Sequence, residues 1–268
     1  MIAGLNSIKL AAHDFLKRWK SAEHRSASQG RTTEAAIALG ICVLILVVAL
    51  SGDENLVRSA RELPAEIRRF FAIITRLGES SWIFATTGTL VIAALLLRHR
   101  GFGPRVDAAL GLFAGRVFYI FAANAVSGIL SLLLKSLFGR ARPRLLDVVG
   151  PFHFDMFAYK SSVLSFPSGH TVTAFATAVA IAFLLPRWGR LLLLLAVLIG
   201  VSRIVTGAHF PSDVIAGMAL GTATSIFLRR AFAARGIVFR KRAAGIEMRG
   251  AGLVGPALWR ATRFWSRA

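Results

Sequence analysis

The stretch Phe166-Pro167-Ser168-Gly169-His170-Thr171-Val172-Thr173-Ala174-Phe175-Ala176-Thr177-Ala178-Val179-Ala180-Ile181-Ala182-Phe183-Leu184-Leu185 passes from a proline–serine–glycine turn into an apolar run with no Lys, Arg, Asp or Glu. Proline and serine just ahead of such a run mark a helix start, so residues 171–185 read as a helix opened by residues 167–170. Five other runs have the same character: 35–51, 82–97, 117–134, 191–205 and 214–228. A bilayer core takes roughly 20 apolar residues per helix, and some of these runs need flanking residues to span it. Over the 268 residues, 55% are hydrophobic and only 17% charged, with a mean hydropathy of +0.62. A soluble enzyme could not solvate such a surface, so the expected fold is all-α, an integral membrane bundle of about six transmembrane helices.

Orientation follows from the 33 basic residues, which outnumber the 13 acidic ones. Lys9, Lys17, Arg18, Lys20, Arg25 and Arg31 precede the first span; Arg98, Arg100 and Arg105 follow the second; Arg187 and Arg190 follow the fourth. Arg229, Arg230, Arg235, Arg240, Lys241 and Arg242 come after the sixth. Six spans put all of these on one side, which the positive-inside rule makes the cytoplasm. Starting the third span at Ala108 would place Arg116 in hydrocarbon at about 2.5 kcal/mol or more, so Arg116 is expected at the cytoplasmic edge. The outer connection 52–81 balances Asp53, Glu54, Glu62, Glu66 and Glu79 against five arginines. Within it, residues 55–77 predict an interfacial amphipathic helix broken or started at Pro64. The expected organisation is a basic cytoplasmic segment 1–33, a six-span domain 34–228 and a basic cytoplasmic tail 229–268. The tail, with Trp259, Phe264 and Trp265, reads equally as lying on anionic lipid or as solvated. No cleavable signal peptide precedes the first span, which reads as a signal anchor. Cys42, the single cysteine, reads as a small buried apolar residue, leaving no internal disulfide or thiolate metal site.

Polar residues gather at the outer ends of the third to sixth spans in three clusters. The first is Lys135-Ser136-Leu137-Phe138-Gly139-Arg140-Ala141-Arg142-Pro143, and the second Phe166-Pro167-Ser168-Gly169-His170. The third is Ser202-Arg203, five residues, then His209-Phe210-Pro211-Ser212-Asp213. A phosphate ester needs fixed cations and backbone donors, because negative charge moves onto its equatorial and leaving oxygens during transfer. Lys135, Arg142 and Arg203 are the cations. The N–H groups of Ser168 and Gly169, at the positive end of a helix, form an anion seat. Of the two histidines, one must attack phosphorus as neutral imidazole and the other protonate the departing alkoxide. Asp213, four residues after His209, is placed to hold one ring nitrogen as N–H and aim the other, which makes His209 the nucleophile and leaves His170 as the acid.

Complete and in order, these clusters resemble the signatures K-x6-RP, PSGH and SR-x5-H-x3-D of the type-2 phosphatidic acid phosphatase superfamily. The resemblance covers Lys135 to Asp213 and points to the membrane-bound bacterial branch, since soluble acid phosphatases and vanadium haloperoxidases share the motifs but not this apolarity. It implies a helical core of the phosphatase/haloperoxidase kind, a phosphohistidine intermediate and neither metal nor other cofactor. It carries Lys135, Arg142, Arg203, Ser168 and Gly169 over as phosphate ligands, His170 as general acid, His209 as nucleophile and Asp213 as its orienting partner. The expected activity is hydrolysis of a phosphate or diphosphate on a membrane lipid at the periplasmic face of a bacterial inner membrane. Undecaprenyl diphosphate, phosphatidic acid, phosphatidylglycerol phosphate and lipid A 1-phosphate all fit, and the expected partners are such a lipid and the bilayer, not nucleic acid. Phosphotransfer to an acceptor lipid, or lipid binding without catalysis, are the alternatives. His153, Arg140 and Arg144 read as surface groups or added positive potential, and His13, His24 and His99 fall on the cytoplasmic side. Trp82 and Trp188 read as interface anchors and Asn124 as a contact to another helix.

Overall fold

The computed structural model describes His13 and residues 31–100, 102–242 and 245–249. The basic residues Lys9, Lys17, Arg18, Lys20 and Arg25, together with His24, Trp259, Phe264 and Trp265, lie outside them. The described chain is an all-α membrane bundle carrying one small hairpin. Its helices are α1 (Arg31–Ser51), α2 (Asp53–Arg61), α3 (Ala65–Ile74), α4 (Ser80–Leu97), α5 (Pro104–Phe138), α6 (Leu146–Val149), α7 (Gly169–Leu184), α8 (Gly189–Val205) and α9 (Pro211–Ala234). Strands β1 (Phe239–Arg242) and β2 (Gly245–Met248) pair antiparallel, with Phe239 opposite Met248.

Five helical stretches among the described residues are long and apolar enough to cross a membrane. The fourth expected span, α7, has 16 residues and reaches about 24 Å at 1.5 Å per residue. It needs no lipid-facing surface, because it packs against α5, α8 and α9 and most of its residues are buried. Its contact with α9 is close because α9 presents glycine there: a Cβ on Gly221 would lie 2.5 Å from the Val172 carbonyl oxygen. Small residues let backbones approach where lipid offers no hydrophobic drive to associate. Polar side chains in this interior bond across helices, as Asn124 does to Thr177 Oγ1 at 3.0 Å and Tyr119 Oη to the Ser225 carbonyl at 2.8 Å.

Helices begin two to four residues before most of the apolar runs, since polar residues satisfy a first turn that hydropathy leaves out. The third span differs more, because α5 starts at Pro104 and runs 35 residues, about 52 Å. Arg116 lies within it, and its Nη2 donates to the Arg249 carbonyl at 3.0 Å, so the hairpin supplies a partner to an arginine expected to snorkel. The hairpin folds part of the tail that reads from sequence as lipid-bound or solvated. It is held because buried Phe239 meets Tyr119 edge-on at 5.0 Å between ring centroids. The segment 55–77 is broken at Pro64, which caps α3. Cys42 is exposed on α1 rather than buried, because α1 packs mainly against α2 and α9 and leaves its other face open.

Candidate active site

Lys135 stands in the last turn of α5, which ends at Gly139 in the left-handed conformation with φ 56°. Only glycine fits there: a Cβ would sit 1.5 Å from the Asp155 carbonyl oxygen. From that turn the chain runs back along the loop that leads to α7, with Asp155 N–H bonded to the Gly139 carbonyl, Ala141 N–H to that of His153 and Arg142 N–H to that of Ser162. Ser165 N–H closes the stitching on the Arg140 carbonyl at 2.9 Å. These bonds bring the first cluster alongside the second. Lys135 Nζ donates to the Leu164 carbonyl at 2.9 Å, and its Cε lies 3.7 Å from where a Cβ on Gly169 would be.

Ser168 is the residue that caps α7, and its N–H is already given to the Asp213 carbonyl at 3.0 Å. The Ser168 N–H is therefore engaged within the protein, whereas the N–H groups of Gly169, His170 and Thr171, as the first helical residues, have no partner within α7. Ser168 Oγ accepts from Thr171 Oγ1 at 2.9 Å. From α8, Arg203 directs Nη1 to Thr75 Oγ1 at 2.5 Å, while its buried Nε has no partner among the described residues. Arg142 Nε donates to the Ser161 carbonyl at 2.8 Å. Burial, followed by the Arg144 charge, pushes its pKa below the ordinary guanidinium value, as expected of a site that gathers positive charge before an anion arrives. Lys135, Arg142 and Arg203 all lie within electrostatic range of His170.

After α8 the chain turns through Gly207 at φ 66°, and the N–H groups of Ala208 and His209 both reach the Arg203 carbonyl, at 3.0 and 3.1 Å. This turn fixes the spacing between Arg203 and His209. His209 is 2% exposed, and burial, reinforced by the Lys135 and Arg203 charges against the pull of Asp213, lowers its pKa to about 3. At neutral pH the ring therefore carries a free nitrogen lone pair. Its Nδ1 lies 3.6 Å from Asp213 Oδ2, longer than a hydrogen bond, and 3.4 Å from Ser165 Oγ. Ser165 Oγ in turn donates to Asp213 Oδ2 at 2.6 Å, so the serine bridges ring and carboxylate. The Phe210 N–H, at 3.0 Å, also binds Oδ2.

Four residues here carry no site role in the sequence reading. Arg140, read as a solvated loop charge or as added positive potential beside the first cluster, is 3% exposed and bonds Asp213 Oδ1 at 2.7 Å and Asp53 Oδ2 at 2.8 Å. Asp53, read as part of a balanced outer loop, is fully buried. Ser165 and Thr75 complete the set. The one signal in the sequence was position: Asp53 follows an apolar run by two residues, at the depth where the clusters collect. Arg144 and His153 are exposed, as surface groups should be. Among the described residues no three His, Cys, Asp or Glu side chains converge as a metal-binding group.

Comparison with known proteins gives this geometry a lineage. The family model of the PAP2 superfamily matches residues 116–237. A lipid A 1-phosphatase of Rhizobium johnstonii is 35% identical over 186 residues, covering 68% of this chain and 74% of the relative. An undecaprenyl-diphosphatase of Sulfolobus acidocaldarius is 32% identical over 99 residues, 35% of this chain and 48% of the relative. The crystal structure of a transmembrane PAP2-type phosphatidylglycerolphosphate phosphatase from Bacillus subtilis superposes with a TM-score of 0.51 at 23% identity, covering 72% of this chain and 94% of that one, and so shares the fold. With the motif residues brought to one end of a common helical bundle and a relative matched over most of its length, the chain belongs to the PAP2 superfamily and is a phosphatase of membrane lipids.

Proposed function

We propose that the protein removes the phosphate of a lipid A 1-phosphate-type lipid at the periplasmic face of a bacterial inner membrane, through a phosphohistidine on His209. The observation that carries this reading is the convergence of three cations and the free α7 N-terminus beside a buried, neutral, oriented histidine. His209 Nε2 attacks phosphorus while Nδ1 keeps its proton toward Ser165 and Asp213. The bond from phosphorus to the lipid oxygen breaks, and His170 gives that oxygen a proton. Water, deprotonated by His170, then attacks the phosphohistidine, releasing inorganic phosphate and the free imidazole. Lys135, Arg142, Arg203 and the N–H groups of Gly169, His170 and Thr171 hold the equatorial oxygens throughout, so no metal ion enters the scheme. The similarity to the Rhizobium enzyme over most of its length supports the substrate class. A lipid diphosphate is the second reading, supported by the shorter match to the archaeal diphosphatase.

Phosphate release by purified protein is the test, measured on lipid A 1-phosphate, undecaprenyl diphosphate, phosphatidic acid and phosphatidylglycerol phosphate in mixed micelles, with and without acceptor lipid. The reading expects fastest turnover on the first, with phosphate appearing as the free ion. Preference for another lipid, or transfer to the acceptor, overturns the substrate or the reaction. Rapid acid-labile labelling of His209→Ala by an aryl phosphate overturns the nucleophile.

A further inference from the structure

We propose that Asp53 and Arg140 are positioning residues, a buried carboxylate–guanidinium pair that fixes the Asp213 carboxylate and, through it, the His209 ring. The proposal rests on the assignment of His209 as the attacking group. Every nitrogen of the Arg140 guanidinium is engaged in this layer. Nη1 donates to Asp213 Oδ1 and Ser212 Oγ, both at 2.7 Å, Nη2 to Asp53 Oδ2 and the Pro151 carbonyl, and Nε to the same carbonyl. Asp53 adds a second hold on the same helix start. Its Oδ1 accepts the Ser212 N–H at 2.9 Å and its Oδ2 the Ser212 hydroxyl at 2.5 Å. The guanidinium also lies over the Phe210 ring at 4.4 Å from the centroid. Residues 210, 212 and 213, which follow His209 directly, are therefore clamped by two side chains from elsewhere in the chain.

Stability alone does not call for this arrangement. Each buried ion costs several kcal/mol of desolvation, and apolar residues of similar volume often serve as well or better. What the pair supplies is direction. A carboxylate turns easily about its last bond, whose torsion is broad and two-fold. With Oδ1 held by Arg140, Oδ2 is left facing Ser165 Oγ at 2.6 Å and His209 Nδ1 at 3.6 Å. The Nδ1–H tautomer is then favoured and the Nε2 lone pair is presented to phosphorus. Asp53 touches neither histidine, so its influence must pass through Arg140 and Ser212.

Asp53→Asn, Asp213→Asn and the double variant of the full chain, purified in detergent, are compared for kcat and KM on p-nitrophenyl phosphate, whose turnover does not depend on the identity of the natural lipid. Melting temperatures accompany the kinetics. Asp53→Asn should lower kcat about 10- to 100-fold with KM changed less than about threefold, the signature of a misdirected but still occupied site. In the Asp213→Asn background the same substitution should cost little more, because its route of action is already cut. Arg140→Lys, which keeps a cation between the two carboxylates but lacks the fork, should show the same split and serves if Asp53→Asn does not fold. Wild-type kinetics in Asp53→Asn beside an impaired Asp213→Asn, or losses that multiply in the double variant, overturn the proposal alone. Full activity in Asp213→Asn overturns this proposal, whereas acid-labile labelling of His209→Ala overturns the nucleophile assignment on which it rests.

Discussion

Gly217 packs against the turn at residues 168–171 that is proposed to bind phosphate, and adding one methyl group to it should cost turnover more than stability. A Cβ there would lie 2.8 Å from the Ser168 carbonyl oxygen and 3.0 Å from Thr171 Cβ. That is more than half an ångström inside the roughly 3.5–4.0 Å at which such atoms pack best. The turn cannot slide freely, because Ser168 N–H is bonded to Asp213 one helical turn earlier on the same face of α9. Relief therefore moves residues 168–171 outward, away from the loop that carries His209. A displacement near 1 Å can cost about 100-fold in rate, so a shift of half that size predicts a fall in kcat of about tenfold, or ~1.4 kcal/mol. On stability, overpacking by about 1–3 kcal/mol is offset by the roughly 1 kcal/mol by which alanine exceeds glycine in a helix. Gly221→Ala is the counterpart: its Cβ would meet the Val172 carbonyl oxygen at 2.5 Å and Ala176 N at 2.8 Å, deeper in the bundle. It should lower the melting temperature more than Gly217→Ala does and kcat less. Gly128→Ala meets nothing within 4 Å and should leave kcat unchanged while raising the melting temperature slightly. Phosphate release and thermal unfolding of the three purified variants decide the matter. Unchanged kcat in Gly217→Ala, or a larger kcat loss in Gly221→Ala, would refute the idea that α9 sets the position of the turn.

Acid should destabilise the folded protein through His209. Its pKa lies near 3 when folded, against 6.5 ordinarily, so between those values the unfolded chain binds a proton that the folded one does not. Stability is then lost as pH falls below 6.5, by up to about 1.4 kcal/mol per unit; His209→Gln should flatten the melting-temperature profile between pH 7 and 4.5, and an unchanged slope would sink the argument. Arg203→Ala should raise KM as well as lower kcat, since that cation meets phosphate in ground and transition states alike, whereas Thr75→Ala, which only frees Nη1, should change KM by less than about threefold. Reporter fusions after residues 134 and 228 should lie on opposite sides of the membrane, and agreement between them would contradict the six-span topology.

How far the sequence carried can be judged from particular residues. The spans were legible because a bilayer demands a compositional run that no other constraint produces. Their ends were not, since residues 104–115 of α5 carry Arg105 and Asp107 and so lack the apolar character by which a span is read. The residues proposed to touch phosphate were legible because a doubly charged ester requires cations, donors and an oriented base at fixed spacing. That the Ser168 N–H is spent on the Asp213 carbonyl was not legible, because pattern alone does not say whether a residue caps a helix or begins it. The hairpin was unreadable locally: Phe239-Arg240-Lys241-Arg242 has no strand alternation of its own, and distant partners hold it, Phe239 packing in a cluster with Tyr119 and Phe232 while Arg116 and Arg229 bond the Arg249 and Ile246 carbonyls. Arg140 and Asp53 were missed for a related reason. Their partners stand 73 and 159 residues away, and nothing in the flanking sequence distinguishes a buried pair from two solvated loop charges.

The missed pair also changes the electrostatic account of the proposed reaction. In front of His209 stand Lys135, Arg142 and Arg203, whose three charges face the two of a phosphate monoester. Behind it, the single charge of Arg140 is shared between Asp53 and Asp213, which leaves that buried layer one charge negative. As the bond from nitrogen to phosphorus forms, positive charge develops on the imidazole and negative charge spreads over the equatorial oxygens. The two layers meet these changes with opposite signs, each on the side where it stabilises them, and both are fixed before the substrate arrives. A site built from the phosphate-binding cations alone would oppose the charging of His209. The carboxylate layer is therefore as much a requirement of a histidine nucleophile in this position as the cations are of its substrate.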